Sequence, residues 1–237
     1  MSLPLSAPPV QARVPRARTR LHVNPLSPEL LLPPAAPHWA ALLAQPELPL
    51  HLDFGCAYGE LVLGLAAALP HRNHAGIELR ARVLERASAQ RLPNAAFLFG
   101  NARHPDFLQV LLRGYPGPLA VVSCLFPDPY AQPRYRRRRL LQPALVEAVA
   151  AAMLPGGEFV TATDNLELAE EMAAPFLAAS TTWTPAPGAA LNGRVPGSPF
   201  PVSTAWQLTV EGRVPPVPVY WAHWTRRCCL VAGLGGV

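Results

Sequence analysis

The chain has 237 residues, half of them hydrophobic, which is enough for one domain with a full core plus appendages. It contains no run of about 18 apolar residues, which excludes a transmembrane helix and leaves the cytoplasm as the default compartment. The formal net charge of +5 and the pI near 9.4 fit an anionic partner, most simply nucleic acid. All 20 basic side chains are arginine, a bias of composition rather than chemistry, so an arginine in place of lysine says little and a missing charge says more. Cys56, Cys124, Cys228 and Cys229 make no C-x-x-C pair and read as reduced, mostly buried thiols.

Residues 1–46 are rich in Pro, Ala and Leu, with Arg13, Arg16, Arg18 and Arg20 spaced along them. This composition predicts an extended or disordered basic arm, closing with a short helix near Trp39 to Ala44. Residues 47–237 form the second unit, and there strands and helices alternate. A strand over Leu50 to Phe54 leads through a glycine loop into a helix from Glu60 to Leu69. A strand over Ala75 to Glu78 leads into a helix from Arg80 to Arg91, followed by a strand over Ala96 to Phe99. The hydrophobic run Leu119 to Phe126 is a buried strand, with a helix from about Leu140 to Met153 behind it. The Pro155-Gly156-Gly157 turn precedes a strand over Glu158 to Thr163, and Asn165 is placed to cap a helix running to Ala179. Such alternation predicts an α/β fold, a doubly wound, mostly parallel sheet. Val202 to Val210 and Val217 to Val231, rich in β-branched and aromatic residues, are expected to finish it as an antiparallel pair, with residues 186–201 as the loop between.

The turn Leu52-Asp53-Phe54-Gly55-Cys56-Ala57-Tyr58-Gly59-Glu60 joins the first strand to the first helix, where a cofactor must approach the backbone closely. Glu78, at the end of the second strand, is placed to accept hydrogen bonds from both hydroxyls of a ribose. These features suit a dinucleotide or S-adenosylmethionine. A dinucleotide needs G-x-G-x-x-G to seat its pyrophosphate, but Ala57 stands at the second glycine position and Glu60 opens the helix. Asp53 suits the cationic amino group of a methionine moiety, and Asn101-Ala102 are placed to read an adenine edge. The balance favours the methyl donor.

Phe126-Pro127-Asp128-Pro129-Tyr130 holds one carboxylate between two prolines at a strand's carboxyl end, where open α/β sheets place ligands. The arginine block from Arg134 to Arg139, interrupted only by Tyr135, follows it. A stiff acid beside dense positive charge points to chemistry on a polyanion.

These residues resemble the tRNA (guanine-N7)-methyltransferase family, in its cyanobacterial branch. The resemblance runs through Arg20 to Ser27, Leu52 to Ala57, Gly76-Ile77-Glu78, the Phe-Pro-Asp-Pro stretch, Arg138-Arg139, Gln142-Pro143 and Thr163-Asp164. It implies a Rossmann-like class I S-adenosylmethionine-dependent fold that methylates the variable-loop guanosine of tRNA, without a metal. It also implies that Asp53, Glu78, Asn101 and Asp128 line the donor and catalytic pocket, with Gly55, Gly59 and Ala102 completing the donor site. Asp164 and Thr204 are implied to contact substrate. The chain departs from the family at Tyr130 for Trp, Gln132 for a substrate-contacting Lys, and Gln207 for the Glu that closes a Thr-led motif. The losses of charge at Gln132 and Gln207 motivate the alternative of a tRNA-binding protein on a catalytically weakened fold; a methyltransferase for a small molecule or protein is a third reading.

Guanine N7 already carries a lone pair, so transfer to it is a matter of positioning, and positive charge develops on the ring. Asp128 is the candidate to stabilise that charge, and Asp164 to read the guanine edge. Gln132, Arg134, Arg138, Arg139 and Gln207 complete the expected substrate surface, with Arg136, Arg137 and the arm arginines on phosphates. His71, His74 and His104 read as solvated, Ser123 as buried sheet without a histidine partner, Trp221 and Trp224 as core, and Glu167, Glu170 and Glu171 as a solvated helix face. The oligomeric state, monomer or homodimer, is left open by the sequence.

Overall fold

A computed structural model describes residues 23–32 and 34–228. The arm arginines Arg13, Arg16, Arg18 and Arg20, and also Cys229, lie outside the described residues.

Five strands, β1 (Leu50–Phe54), β2 (Asn73–Glu78), β3 (Ala95–Phe99), β4 (Leu119–Leu125) and β5 (Met153–Thr163), run parallel in the order β3-β2-β1-β4-β5. The chain winds outward from β1 to β3, crosses back to β4 and continues the other way. Helices α2 (Glu60–Ala68), α3 (Ala81–Ser88), α4 (Phe107–Leu111), α5 (Pro143–Ala152) and α6 (Leu166–Ala178) make the crossovers; α1 (Trp39–Leu42) precedes the sheet. The β1/β4 junction is therefore the point where strand order reverses, and a crevice opens there at the carboxyl ends.

Leu50, Leu52 and Phe54 alternate onto one face of β1 and join Ile77, Leu98, Val122 and Phe159 in the main core. Trp39 and Leu43, preceding the sheet, lie in the same core. Trp224 stacks on Phe176 at 5.0 Å between centroids, and Trp221 is likewise buried, so both tryptophans are core side chains. Asn165 caps α6 by accepting from the Leu168 amide at 2.8 Å, as its sequence position predicts.

The C-terminal region departs from expectation in two places, at Val202 to Val210 and within residues 186–201, where Arg194–Val195 forms a short strand. Val202 to Val210 is not a strand: Ala205–Glu211 forms helix α7, opened by Thr204, whose hydroxyl oxygen accepts from the Gln207 amide at 3.1 Å. A capped helix start outweighs the β-branched composition, and only Gln207 and Val210 of that helix turn inward. The antiparallel finish is made instead by β8 (Tyr220–Arg226) pairing with β5, with β6 (Trp183–Pro185) and with the short β7 (Arg194–Val195). Pro155 to Gly157 lies inside β5 as an irregularity: Leu119 pairs with Met153, and two residues on Val121 pairs with Glu158.

Candidate active site

The crevice at the β1/β4 junction encloses about 170 Å³ and is lined by Gly55, Glu78, Asn101, Ala102, Asp128 and Arg138, among others. Gly55 and Gly59 both take left-handed backbone, at φ +84° and +79°. Gly59 is fixed twice over, because a Cβ there would meet the Phe97 ring at 2.4 Å. Glu60 opens α2 and accepts from the Ala205 amide at 2.6 Å, which ties α7 to the start of the first helix.

Glu78 is buried at the end of β2 and holds the glycine loop in place. Its carboxylate accepts from the amides of Ala57, Leu79 and Arg80 at 3.1, 2.8 and 2.8 Å. The Arg80 guanidinium binds it twice more, through Nε and Nη2, each at 3.0 Å. Asp53 lies just beneath the loop, 4 % exposed, and burial raises its carboxyl from the ordinary 3.8 to about 7 against the opposing Ser123 hydrogen bond. Asn101 has its side-chain amide committed: Nδ2 donates to the carbonyls of Pro25 and Leu30 at 2.7 and 2.9 Å, and Oδ1 accepts from the Arg103 amide at 3.0 Å. The segment around Val23 and Pro25 thus roofs the crevice, and Tyr130 fastens it from the far wall by donating to the Val23 carbonyl at 2.7 Å.

Asp128 sits on a strained loop. Phe126 and Tyr130, on either side of the Pro-Asp-Pro core, both have positive φ, +49° and +39°. Each costs on the order of 1–3 kcal/mol and persists only because the surroundings hold it. Phe126 packs edge-on against Trp221 at 6.3 Å, and the Pro129 carbonyl accepts from Arg139 Nε at 2.7 Å. The loop's charge reaches its neighbours: Tyr130 is pushed up to about 12 by burial and by Asp128 beside it.

The arginine block, expected to face substrate as a whole, divides. Arg139 is buried, pairs with Glu171 through Nη1 and supports Pro129. Arg136 bridges Glu167 and Glu171, so those acids are ion-pair partners rather than a merely solvated face. Arg134 and Arg138 both lie over the Tyr135 ring, with guanidinium carbons 4.8 and 4.3 Å from its centroid. Arg134 and Arg137 are exposed, as is Gln132 at the start of this turn. Asp164 follows β5 and pairs with Arg213 at 3.0 Å; Thr204 caps α7, and Gln207 is buried, donating to Glu211 at 3.0 Å. Of the expected donor residues, Asp53 and Gly59 lie behind the crevice that holds Glu78 and Asp128 rather than lining it, and none of Gln132, Arg134, Arg139, Asp164, Thr204 and Gln207 lines it.

Sequence reasoning missed one cluster. Ser123 does have a histidine partner, His51 Nε2 at 2.8 Å, and His74 is fully buried against His51 rather than solvated. The available signal was alternation: His51 and Asp53 are two residues apart on β1, and Ser123 is the polar member of the apolar strand β4.

A family model described as a putative methyltransferase matches residues 47–186. A curated protein of Synechococcus elongatus named tRNA (guanine-N(7)-)-methyltransferase is 37% identical over 217 residues, covering 90% of this chain and 98% of that one. The chain belongs to the tRNA (guanine-N(7)-)-methyltransferase family. A second relative of that name, from Thermosynechococcus vestitus, is 38% identical over 197 residues, 79% of this chain and 85% of the other. In fold, this tRNA (guanine-N(7)-)-methyltransferase family member resembles the crystal structure of the 16S rRNA methyltransferase KamB. The TM-score is 0.52 at 17% identity, covering 78% of this chain and 91% of that one. Among the described residues, no helix is long and apolar enough to cross a membrane.

Proposed function

We propose that this protein transfers a methyl group from S-adenosylmethionine to N7 of the variable-loop guanosine of tRNA, in the cytoplasm. The observation that carries the reading is Asp128: a carboxylate on a strained, doubly braced loop, in the same crevice as the Glu78-anchored glycine loop. In this reading residues 47–237 form the methyltransferase domain and residues 1–46 an arm preceding it, part of which roofs the donor crevice.

The donor set fits a methionine-linked nucleoside. When bound, the donor supplies a methyl on a sulfonium, activated for in-line attack. Asp53 anchors the amino group, Gly55 admits the ligand close to the backbone, and Gly59 turns the loop into α2 behind it. Glu78 receives the ribose hydroxyls as they displace the Arg80 guanidinium, while the amides of Ala57, Leu79 and Arg80 keep the carboxylate aimed. Asn101-Ala102 border the base end, with the Asn101 side chain shaping that end through its hold on Pro25 and Leu30.

On the other side of the crevice, Asp128 faces the charge that develops on the guanine ring and stabilises it more in the transition state than before it. No base is required. Asp164 reads the guanine edge once Arg213 yields it, and Thr204 and Gln207 present α7 beside it. Arg134, Arg137 and Arg138 take phosphates, joined by Gln132 at the head of the turn. Arg139 serves this surface indirectly, by bracing Pro129.

Methyl transfer from labelled S-adenosylmethionine to unmodified tRNA tests the reading, with a tRNA whose variable-loop guanosine is replaced by adenosine run in parallel. Label that enters only when the guanosine is present supports it. Binding of both ligands without transfer refutes it in favour of a binding protein on this fold.

A further inference from the structure

Three neighbouring strands bring polar side chains to one face of the sheet beneath the donor loop. His51 and Asp53 share a face of β1, and in register His51 pairs with His74 of β2 and Asp53 with Ser123 of β4. The four are buried, none more than 4 % exposed. Their polar atoms form one chain: Asp53 Oδ1 to Ser123 Oγ at 2.6 Å, Ser123 Oγ to His51 Nε2 at 2.8 Å, His51 Nδ1 to His74 Nδ1 at 3.2 Å, and His74 Nε2 to the Leu69 carbonyl at 3.4 Å. Phe200 closes over His51 with centroids 5.7 Å apart.

Hydrogen-bond direction ties the ends of this chain together. A carbonyl only accepts, so Leu69 calls for a proton on His74 Nε2. A neutral His74 then accepts at Nδ1, His51 donates from Nδ1 and accepts at Nε2, and Ser123 gives its single hydrogen to His51. Asp53 completes the chain only by carrying a proton of its own and donating it to Ser123. That arrangement is neutral and satisfies every member. With Asp53 ionised, the Ser123 hydrogen turns to the carboxylate, both histidines reverse, and the Leu69 carbonyl faces a bare nitrogen.

We propose that Ser123, His51 and His74 are positioning residues that keep a proton on Asp53 until the donor arrives. Capture of the donor's cationic amino group then expels that proton to solvent and reverses the chain. The inference rests on the reading of Asp53 as the amino-group anchor. The step balances: a neutral carboxylic acid and an ammonium ligand give a carboxylate–ammonium pair and one proton.

The surroundings favour the neutral chain. Burial dominates at Asp53, with Ser123 opposing it and Glu78 of β2 reinforcing it. Burial also holds His51 well below its ordinary 6.5, helped by His74 and Arg72. It brings His74 to about 4 against the Leu69 hydrogen bond, with Arg72 and His71 adding repulsion. Cys56 on the loop and Cys124 of β4, on the opposite face of the sheet, feel the Asp53 charge and are kept as neutral thiols by burial first and by that charge second.

Calorimetric titration of the full chain with S-adenosylhomocysteine, in two buffers of different ionisation enthalpy, counts the protons released. Asp53→Asn supplies the background from the ligand's own amino group. Relative to that background, the native chain should release close to one proton at pH 6 and almost none at pH 8. Its affinity should weaken about tenfold over the same fall in pH. His51→Phe leaves the Ser123 hydrogen to the carboxylate alone and should move the midpoint to lower pH; Ser123→Ala removes that hydrogen and should move it higher. Midpoints that stay put in both variants, or proton release equal to that of Asp53→Asn, overturn the proposal. Native chain that binds no S-adenosylhomocysteine at any pH refutes the donor reading itself. Binding that Asp53→Asn leaves unchanged refutes only the anchor role, and this proposal with it.

Discussion

The donor side and the substrate side of the crevice are built differently. On the donor side, Asp53 and Glu78 are buried, and three backbone amides aim the Glu78 carboxylate before any ligand binds. On the substrate side the charges are held by one another: Asp164 by Arg213, Arg136 by Glu167 and Glu171, Arg134 and Arg138 by the Tyr135 ring. A small ligand repays a preformed site, whereas a large flexible polyanion is met by surface charges that exchange one partner for another. Asp128 stands between the two, rigid like the first side and open like the second.

Changing the buried side should give the largest effects. Asp53→Asn removes a carboxyl whose folded value is raised from 3.8 to about 7, a group whose stabilising contribution is present below its unfolded value and lost as pH rises through the folded one. The variant should therefore gain stability over the native chain progressively between pH 4 and pH 7, reaching about 4 kcal/mol. Urea melts at several pH values would show this, and a constant difference would mean Asp53 is not forced to ionise at a cost.

Asp128→Asn should lower the methyl-transfer rate by about a hundredfold or more, roughly 3 kcal/mol, with donor affinity kept; single-turnover rates beside donor titration separate the two. Arg139→Ala is a substitution in the basic block that should behave like one on the buried side. Unsupporting Pro129 and stranding Glu171 should cost about 2 kcal/mol of stability, less than a fully buried pair because Glu171 is 38% exposed. Arg134→Ala should leave stability unchanged and weaken tRNA binding by under about 1 kcal/mol, with the salt slope of affinity reduced by about one. Equal effects of the two arginine substitutions on stability would erase the division within the block.

What the sequence disclosed follows the same division. β1 to β5 were legible because apolar runs bounded by glycine and proline specify buried parallel strands, and Leu50 to Phe54 was placed to the residue. The glycine loop, Glu78 and Asp128 were legible because each sits at a strand's carboxyl end. The split in the arginine block was not, since only the fold brings Glu167 and Glu171 against Arg136 and Arg139. Nor was the Asn101 hold on Pro25 and Leu30, which spans more than seventy positions. Thr204 misled because a threonine among Val, Trp and Leu scores as strand while its hydroxyl caps a helix. The Asp53–Ser123–His51–His74 chain depended on register across three strands, and register appears only when the sheet is assembled.

The placement of β8 also says something about how the molecule is made. Its strand comes last among the described elements, yet it lies inside the sheet, between β5 and β6, and also pairs with β7. During synthesis the open edge of β5 has no cover until Tyr220 to Arg226 leave the ribosome, so the sheet closes only after every other described element has been made. A chain cut before Tyr220 would keep that edge bare, a ready template for strand addition by another copy. Premature termination should thus yield aggregates rather than a smaller, partly active enzyme.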